Sequence, residues 1–195
     1  RQIYKERLMT ADEAAKLVKS GDRVGTHHAT AEPKILTDAI CRRADELENV
    51  KFWQGLNWGD AEYCKPQYHG HIDVDTCFCG PASRAAVNDS RGEFAPLHVS
   101  MSPRLFDTNK PLDGFVCNIT PPDENGMCNL SVSVDFASYA VEHCKYVIAQ
   151  INPSLPWVYG PYSQVPVERL SAIVEADVPL LNIPPIDDTD PISTK

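Results

Sequence analysis

The run Leu112-Asp-Gly-Phe-Val-Cys-Asn-Ile119 passes directly into Thr120-Pro-Pro-Asp-Glu-Asn-Gly126, and that junction limits the fold more than any other stretch. A short, mostly apolar run of this kind reads as a strand buried on both faces, as in a parallel sheet covered by helices. Two prolines then end the ladder, and Asp-x-x-Gly closes a stiff turn. In an open parallel sheet, ligands bind in the crevice beyond the strand carboxyl ends, so a rigid loop placed there is a candidate site. The same grammar occurs near the amino end. Ser20-Gly-Asp-Arg-Val24 leads through Gly25-Thr-His-His-Ala-Thr30 into Ala31-Glu-Pro33, a strand, a loop and a helix start.

Between these points, helical and extended patterns alternate. Thr10 with Glu13 three residues on forms a capping-box pattern, and Ala14, Leu17 and Val18 supply an apolar stripe that Gly21 ends. Arg23 to Thr26 reads as a strand. Pro33 suits the first turn of a helix running to about Leu47, with Ile35, Leu36, Ala39 and Ile40 inward. Strands are expected at Val50 to Gln54, Asp75 to Cys79, Leu97 to Val99, Leu112 to Ile119 and Tyr146 to Ile151. Helices are expected after Gly80-Pro81, after Pro103 and from Phe136 to His143. Such alternation implies right-handed crossovers and an α/β fold with a mostly parallel open sheet flanked by helices. Beyond Asn152 prolines crowd the chain, which predicts an extended segment that wraps the surface. Asp187-Asp-Thr-Asp-Pro191 reads as an exposed linker.

With 195 residues and a formal charge of -9, the chain suits one fairly large domain and fits neither nucleic acid nor an anionic membrane as partner. No apolar run reaches transmembrane length and no secretory signal opens the sequence, so a cytoplasmic location is expected. The seven cysteines are odd in number and dispersed, which argues for reduced thiols packed in the core. Cys77-Phe-Cys79 would put two sulfurs on one strand face but lacks the spacing of a zinc knuckle. His69, His71, Asp73 and Asp75 form the best metal-like cluster. A polar loop explains it better, and no metal is expected.

Several segments together resemble the amino-terminal half of the acetyl-CoA hydrolase/transferase family, especially its 4-hydroxybutyrate CoA-transferase branch. They are Thr10-Ala-Asp-Glu-Ala14, Ser20 to Val24, His28 with Ala31-Glu-Pro33, the Thr120 to Gly126 loop, Ser133-Val-Asp135, and Asn152 through Pro156 to Gly160. The resemblance implies a CoA-transferase-like fold, with residues 1–186 as an amino-terminal domain and 187–195 as a linker toward a carboxyl-terminal half. It also implies exchange of CoA between an acyl-CoA and a short-chain carboxylate such as acetate or 4-hydroxybutyrate. Coenzyme A is then a substrate. The nucleophile is a glutamate that forms an acyl anhydride and then a glutamyl-CoA thioester. That glutamate belongs to the second half of the family's proteins, so no catalytic nucleophile is expected in this chain, and alone it should be inactive.

This half is instead expected to supply one wall of a cleft, with His28, Glu32, Gly80, Pro81, Pro121, Pro122, Asp123 and Gly126 as substrate-binding candidates. His28 is read as a hydrogen-bond donor to a carboxylate or hydroxyl, and Glu32 as an acid or base. His27 and Arg84 are read as structural. Expected partners are the carboxyl-terminal half, docking on a patch that includes Trp157, Val158, Tyr159 and Tyr162, and further copies of the enzyme. Two alternatives stand beside the transferase: an acetyl-CoA hydrolase, in which water replaces the acceptor acid, and a non-catalytic binding or assembly domain.

Overall fold

The computed structural model describes residues 2–108 and 110–182; the expected linker at 187–195 lies outside them. The elements in chain order are α1 (Gln2–Arg7), α2 (Ala11–Ala15), β1 (Arg23–Thr26), α3 (Lys34–Cys41), β2 (Val50–Gln54), β3 (Ile72–Thr76), α4 (Pro81–Asn88), β4 (Gly92–Phe94), α5 (Ser102–Thr108), β5 (Gly114–Ile119), β6 (Met127–Asn129), α6 (Asp135–His143), β7 (Tyr146–Ile151), β8 (Gln164–Pro166) and β9 (Ala172–Glu175). Seven strands form one parallel sheet in the order β4-β3-β2-β1-β5-β7-β9, and β6 pairs antiparallel with β8. The expected α/β class and mostly parallel sheet are therefore what the chain adopts.

Side-chain alternation divides the core into two layers. Val24, Phe52, Val74, Val116 and Ile148 face a layer with Ala14, Leu36 and Ile40 from α2 and α3. Trp53, Phe115, Cys117, Val147 and Ala149 face the opposite layer with Phe106, Phe136 and Ala140 from α5 and α6. Every residue of β5 is buried, as a strand covered on both sides requires.

Four expectations are corrected. The helix after Pro33 ends at Cys41, and Ala44–Glu46 is a separate 3-10 turn; there the Arg43 guanidinium turns back to take the carbonyls of Ala15 and Val18. The third strand is Ile72–Thr76, because Thr76 Oγ1 donates to Phe78 O (2.9 Å) and bends the chain out of the sheet. Cys77 and Cys79 consequently lie beyond the strand and do not share one of its faces. The fourth strand is Gly92–Phe94, and Val99 opens a 3-10 turn; a Cβ at Gly92 would stand 2.7 Å from Val74 Cγ1, so glycine permits this close pairing. Finally, the proline-rich tail contributes to the core. Its proline-free run Ala172–Glu175 forms the edge strand β9, with Ala172, Ile173 and Val174 buried.

Beneath the first layer, the capping box is complete: Thr10 Oγ1 accepts the Glu13 N–H (3.3 Å), and Glu13 Oε2 accepts the Thr10 N–H (2.9 Å). On the other face, charges run along β1 to β4. Asp75, with a side chain only 2% exposed, receives the Arg23 guanidinium and Lys110 Nζ (3.5 Å). Lys110 also meets Glu93 (2.6 Å), and Lys51 meets Asp73 (3.0 Å). The metal-like cluster of the sequence resolves into these pairs. His69 Nδ1 lies 2.8 Å from Asp73, and His71 Nδ1 lies 2.7 Å from Leu47 O. Among the described residues no group of three His, Cys, Asp or Glu side chains is arranged to hold a metal, and no helix is long and apolar enough to cross a membrane.

Candidate active site

Strand order reverses between β1 and β5. From β1 the chain builds outward through β2, β3 and β4, then returns to the other side of β1 with β5, β7 and β9. The carboxyl ends of β1 and β5 therefore bound the crevice in which ligands of open α/β sheets bind. His27 clasps that point. Its Nε2–H donates to Ser133 O (2.8 Å), and its Nδ1 accepts the Asn118 N–H (3.2 Å), tying the exit of β1 to β5 and to the approach to α6. The ring is fully buried, which pushes its pKa down to about 4 and keeps it neutral. His27 is thus structural, as expected, but far from incidental.

His28, next along, turns its nitrogens inward. Nε2–H donates to Asp135 Oδ2 (2.9 Å), which also accepts Ser133 Oγ–H (2.9 Å), and Asp135 Oδ1 accepts the Phe136 N–H (2.6 Å). Burial alone would raise the Asp135 pKa, yet the bonds from His28 and Ser133 hold it below the ordinary carboxylate value. The ring packs edge-on against Phe136 with centroids 4.9 Å apart. Its Nδ1 is buried beside Gly55, where a Cβ would collide with that nitrogen. Nε2 is therefore committed to Asp135, while the buried Nδ1 has no hydrogen-bond partner.

Glu32 sits at the entry to α3. Its Oε2 is 2.6 Å from Asn57 Nδ2, and Asn57 belongs to the loop after β2. A parallel bridge between Ala29 and Asn57 joins the loops that follow β1 and β2. Gly80 completes this cluster from the loop after β3, since a Cβ there would stand 2.7 Å from Asn57 O. Gly80 is also the N-cap of α4, and Pro81 is its first residue. Burial, and then the neighbouring Asp60, push the Glu32 pKa up to about 7. A carboxyl tuned to the neutral range is a general feature of acid-base and ligand sites.

The loop after β5 stands at the same sheet edge but turns the other way. Asp123 Oδ1 accepts the N–H groups of Asn125 (2.9 Å) and Met127 (2.8 Å), and Gly126 adopts φ 80°, so the carboxylate builds its own turn. Pro122, Asp123 and Gly126 line a hollow of about 340 Å³ with Gln2 to Lys5, Val167 and Glu168. Pro121 lines a neighbouring hollow with Tyr4, Pro153 and Glu175. The sequence candidates thus fall into two groups, His28, Glu32, Gly80 and Pro81 on one side and the 121–126 turn on the other. Asn57 and Asp135 hold the first group in place. Sequence reasoning did not single them out as site residues, although Asn57 lies in the glycine-flanked stretch Gly55-Leu-Asn-Trp-Gly59.

An all-parallel α/β sheet with the partnered side chains of His28 and Glu32 at the carboxyl ends of its central strands is an architecture that binds ligands at that edge. The chain belongs to the acetyl-CoA hydrolase/transferase family: residues 1–183 match the family's N-terminal domain. It is 33% identical over 185 residues to 4-hydroxybutyrate coenzyme A transferase of Clostridium kluyveri, covering 94% of this chain and 43% of that protein. It is 32% identical to succinyl-CoA:cyclohexane-1-carboxylate CoA transferase of Geobacter metallireducens, covering 94% and 42%. Among solved structures, 4-hydroxybutyrate CoA-transferase from Porphyromonas gingivalis superposes with a TM-score of 0.80 at 28% identity, over 96% of this chain and 43% of that one. RipA from Yersinia pestis shares the fold, with a TM-score of 0.90 at 23% identity over 97% and 47%. The chain spans less than half the length of these proteins.

Proposed function

We propose that this chain is the amino-terminal wall of a CoA-transferase active site, which moves CoA between an acyl-CoA and a short-chain carboxylate such as acetate or 4-hydroxybutyrate. The observation that carries this reading is the pairing of His28 with Asp135 and Glu32 with Asn57 at the carboxyl edge of β1 and β2, in a chain of this family. The glutamate nucleophile and the amides that stabilise the tetrahedral oxyanion belong to a carboxyl-terminal half. This wall holds the carboxylate in place for attack and keeps water away from the thioester. Apolar side chains exposed at the same edge, Trp58 and Phe78, together with Tyr159 and Tyr162, supply a surface for that half.

Mixing the purified chain with a separately produced carboxyl-terminal half from a relative should give exchange of CoA between acetyl-CoA and labelled acetate or 4-hydroxybutyrate. The 195-residue chain alone should give none. Turnover by the chain alone, or a mixture that binds without exchanging, would overturn the proposal. Loss of acetyl-CoA that does not depend on acceptor acid would favour the hydrolase. In the active mixture, His28→Ala should lower exchange efficiency about ten- to hundredfold, as expected when a wall held by a charged hydrogen bond collapses. Unchanged kinetics with a lower Tm would assign His28 to packing only.

A further inference from the structure

The sequence candidates fall into two groups at one sheet edge, and a single segment borders both. After β9 the chain turns back over the carboxyl ends of the strands as residues 176–182. At the root of this segment the Ala176 N–H donates to Ile151 O (2.9 Å), and Ala176 and Asp177 line the hollow that Pro121 shares with Tyr4 and Pro153. At its tip Leu181 Cδ1 lies 3.6 Å from where a Gly59 Cβ would stand, a point that Glu32 Oε2 approaches to 2.7 Å. Gly59 belongs to the loop after β2.

The sheet order β7-β5-β1-β2 fixes the route between these ends. Asn152, buried just beyond β7, holds Val178 as a neighbouring strand would: its Nδ2–H donates to Val178 O (2.8 Å), and its Oδ1 accepts the Val178 N–H (3.4 Å). Ser154 Oγ–H adds a bond to Asp177 Oδ1 (2.7 Å). From β7 to β2 is about 15 Å at the usual strand spacing, and the stretch from Val178 to Leu181 extends about 10 Å. The side chains of Asn152 and Leu181 supply the remainder, so only a taut path across the ends of β5 and β1 fits. The fastening is uneven. Asp177 and Val178 are bonded at the root, whereas among the described residues Pro179 to Asn182 take no hydrogen bond, and the tip lies against Gly59 through Leu181, itself 42% exposed.

We propose that residues 176–182 form a strap over the crevice between β1 and β5, hinged where Asn152 clasps Val178 and closed by Leu181 over Glu32, and that a substrate carboxylate reaches the His28 and Glu32 side of the edge only when the tip lifts. The carboxylate assignment rests on the function proposed above; the path of the strap and its cover of Glu32 do not. A closed strap accounts for a Glu32 only 9% exposed at an edge where ligands bind. It also keeps apart two groups of candidates that one cleft would bring together. Pro179, with its fixed φ, stiffens the arm beyond Val178, so the tip moves as one piece about the root. A ligand that binds only the lifted form draws the population toward it, and its apparent affinity is reduced by the share of molecules still closed.

The test uses the 195-residue chain with Leu181→Gly at the tip and Asn152→Ala at the root. Leu181→Gly should move the Gly59 amide signal in a ¹⁵N spectrum, and Asn152→Ala should move the same signal although β5 and β1 stand between the two sites. A Gly59 signal indifferent to Leu181→Gly would overturn the path, and one indifferent to Asn152→Ala would overturn the hinge. Should Asn152→Ala fail to fold, Ser154→Ala, which frees Asp177 alone, takes its place. Carbodiimide coupling of an amine to Glu32, read by peptide mass spectrometry, should run about five- to tenfold faster in the variants. An unchanged rate would overturn the cover. In the mixture with a carboxyl-terminal half, Leu181→Gly should lower the KM for acetate about three- to tenfold with kcat unchanged. An unchanged or raised KM would overturn the gating of substrate alone. A parent mixture that exchanges no CoA would sink the transferase reading and the substrate gating with it, while the Gly59 signal and the Glu32 labelling still decide the strap.

Discussion

Replacing Glu32 with glutamine is expected to stabilise the fold by about 3 kcal/mol at about pH 8 and to change almost nothing near pH 4. The carboxyl has an ordinary value of 4.5 and is raised to about 7 in the folded chain, chiefly by burial and then by Asp60. Between those two values the folded state holds a proton that the unfolded state has released, so stability falls as pH rises through that window. It is fully present below the unfolded value and is lost once pH passes the folded one. Glutamine is uncharged throughout, and its side-chain oxygen can accept the Asn57 Nδ2–H as the carboxyl does. The variant therefore escapes the loss, with a Tm gain of roughly 6 to 12 °C at alkaline pH for a domain of this size. Urea denaturation of both proteins across the range checks it. Equal midpoints at pH 8 would show that Glu32 is not destabilised by its site. A residue whose removal strengthens the fold is held there at a cost, which is the pattern of functional rather than structural carboxylates.

Asp75→Ala should act in the opposite direction and lower stability by about 3 to 5 kcal/mol. Asp75 sits in the middle of β3 with a side chain 2% exposed, between the Arg23 guanidinium and Lys110. Alanine would leave Arg23, 20% exposed, facing a sheet position with no compensating charge, while Lys110 keeps Glu93. The damage comes from the stranded cation more than from the lost attraction. Replacing both partners by leucine should accordingly recover most of the loss, because two apolar side chains need neither solvation nor each other's charge. Equilibrium unfolding of the two single variants and the double variant measures the coupling. An Asp75→Ala protein within about 1 kcal/mol of the parent would show that water already reaches the pair.

Those carboxylates also explain why the sequence misplaces this strand. Asp73 and Asp75 interrupt the apolar run Ile72 to Thr76, and the cation that makes Asp75 tolerable stands two strands away at Arg23. Local pattern carries no trace of such a partner. Tyr146–Ile151 was legible because a strand covered on both sides reads as a nearly continuous apolar stretch, and Arg23–Thr26 because Gly21-Asp22 before it and Ala31-Glu-Pro33 after it mark its ends. Gly92–Phe94 was not, since a three-residue edge strand with two exposed residues has almost no pattern to offer. Ala172–Glu175 was masked by its proline neighbours. At the site, His28, Glu32 and Gly80 could be chosen because each follows a recognisable strand. Their partners came from contacts spanning 25 positions for Asn57 and 107 for Asp135, which spacing along the chain cannot reveal.

The sheet's centre-outward order has a bearing on how the chain matures. Strands β1 to β4 neighbour one another in sequence order, so they can collapse as a four-stranded sheet whose β1 edge still awaits its partner β5. Until β5 arrives, that edge is open to wrong pairing with another nascent chain. The leading residues must wait longer still. Leu8 bridges Ile173, Tyr4 Oη donates to Glu175 (2.8 Å), and Arg7 reaches Leu170 O, all of them contacts with the last strand or its approach. Residues 2–8 thus precede β1 in the chain yet lock only when β9 is in place, and a chain stalled before β9 would leave them loose for proteases to find.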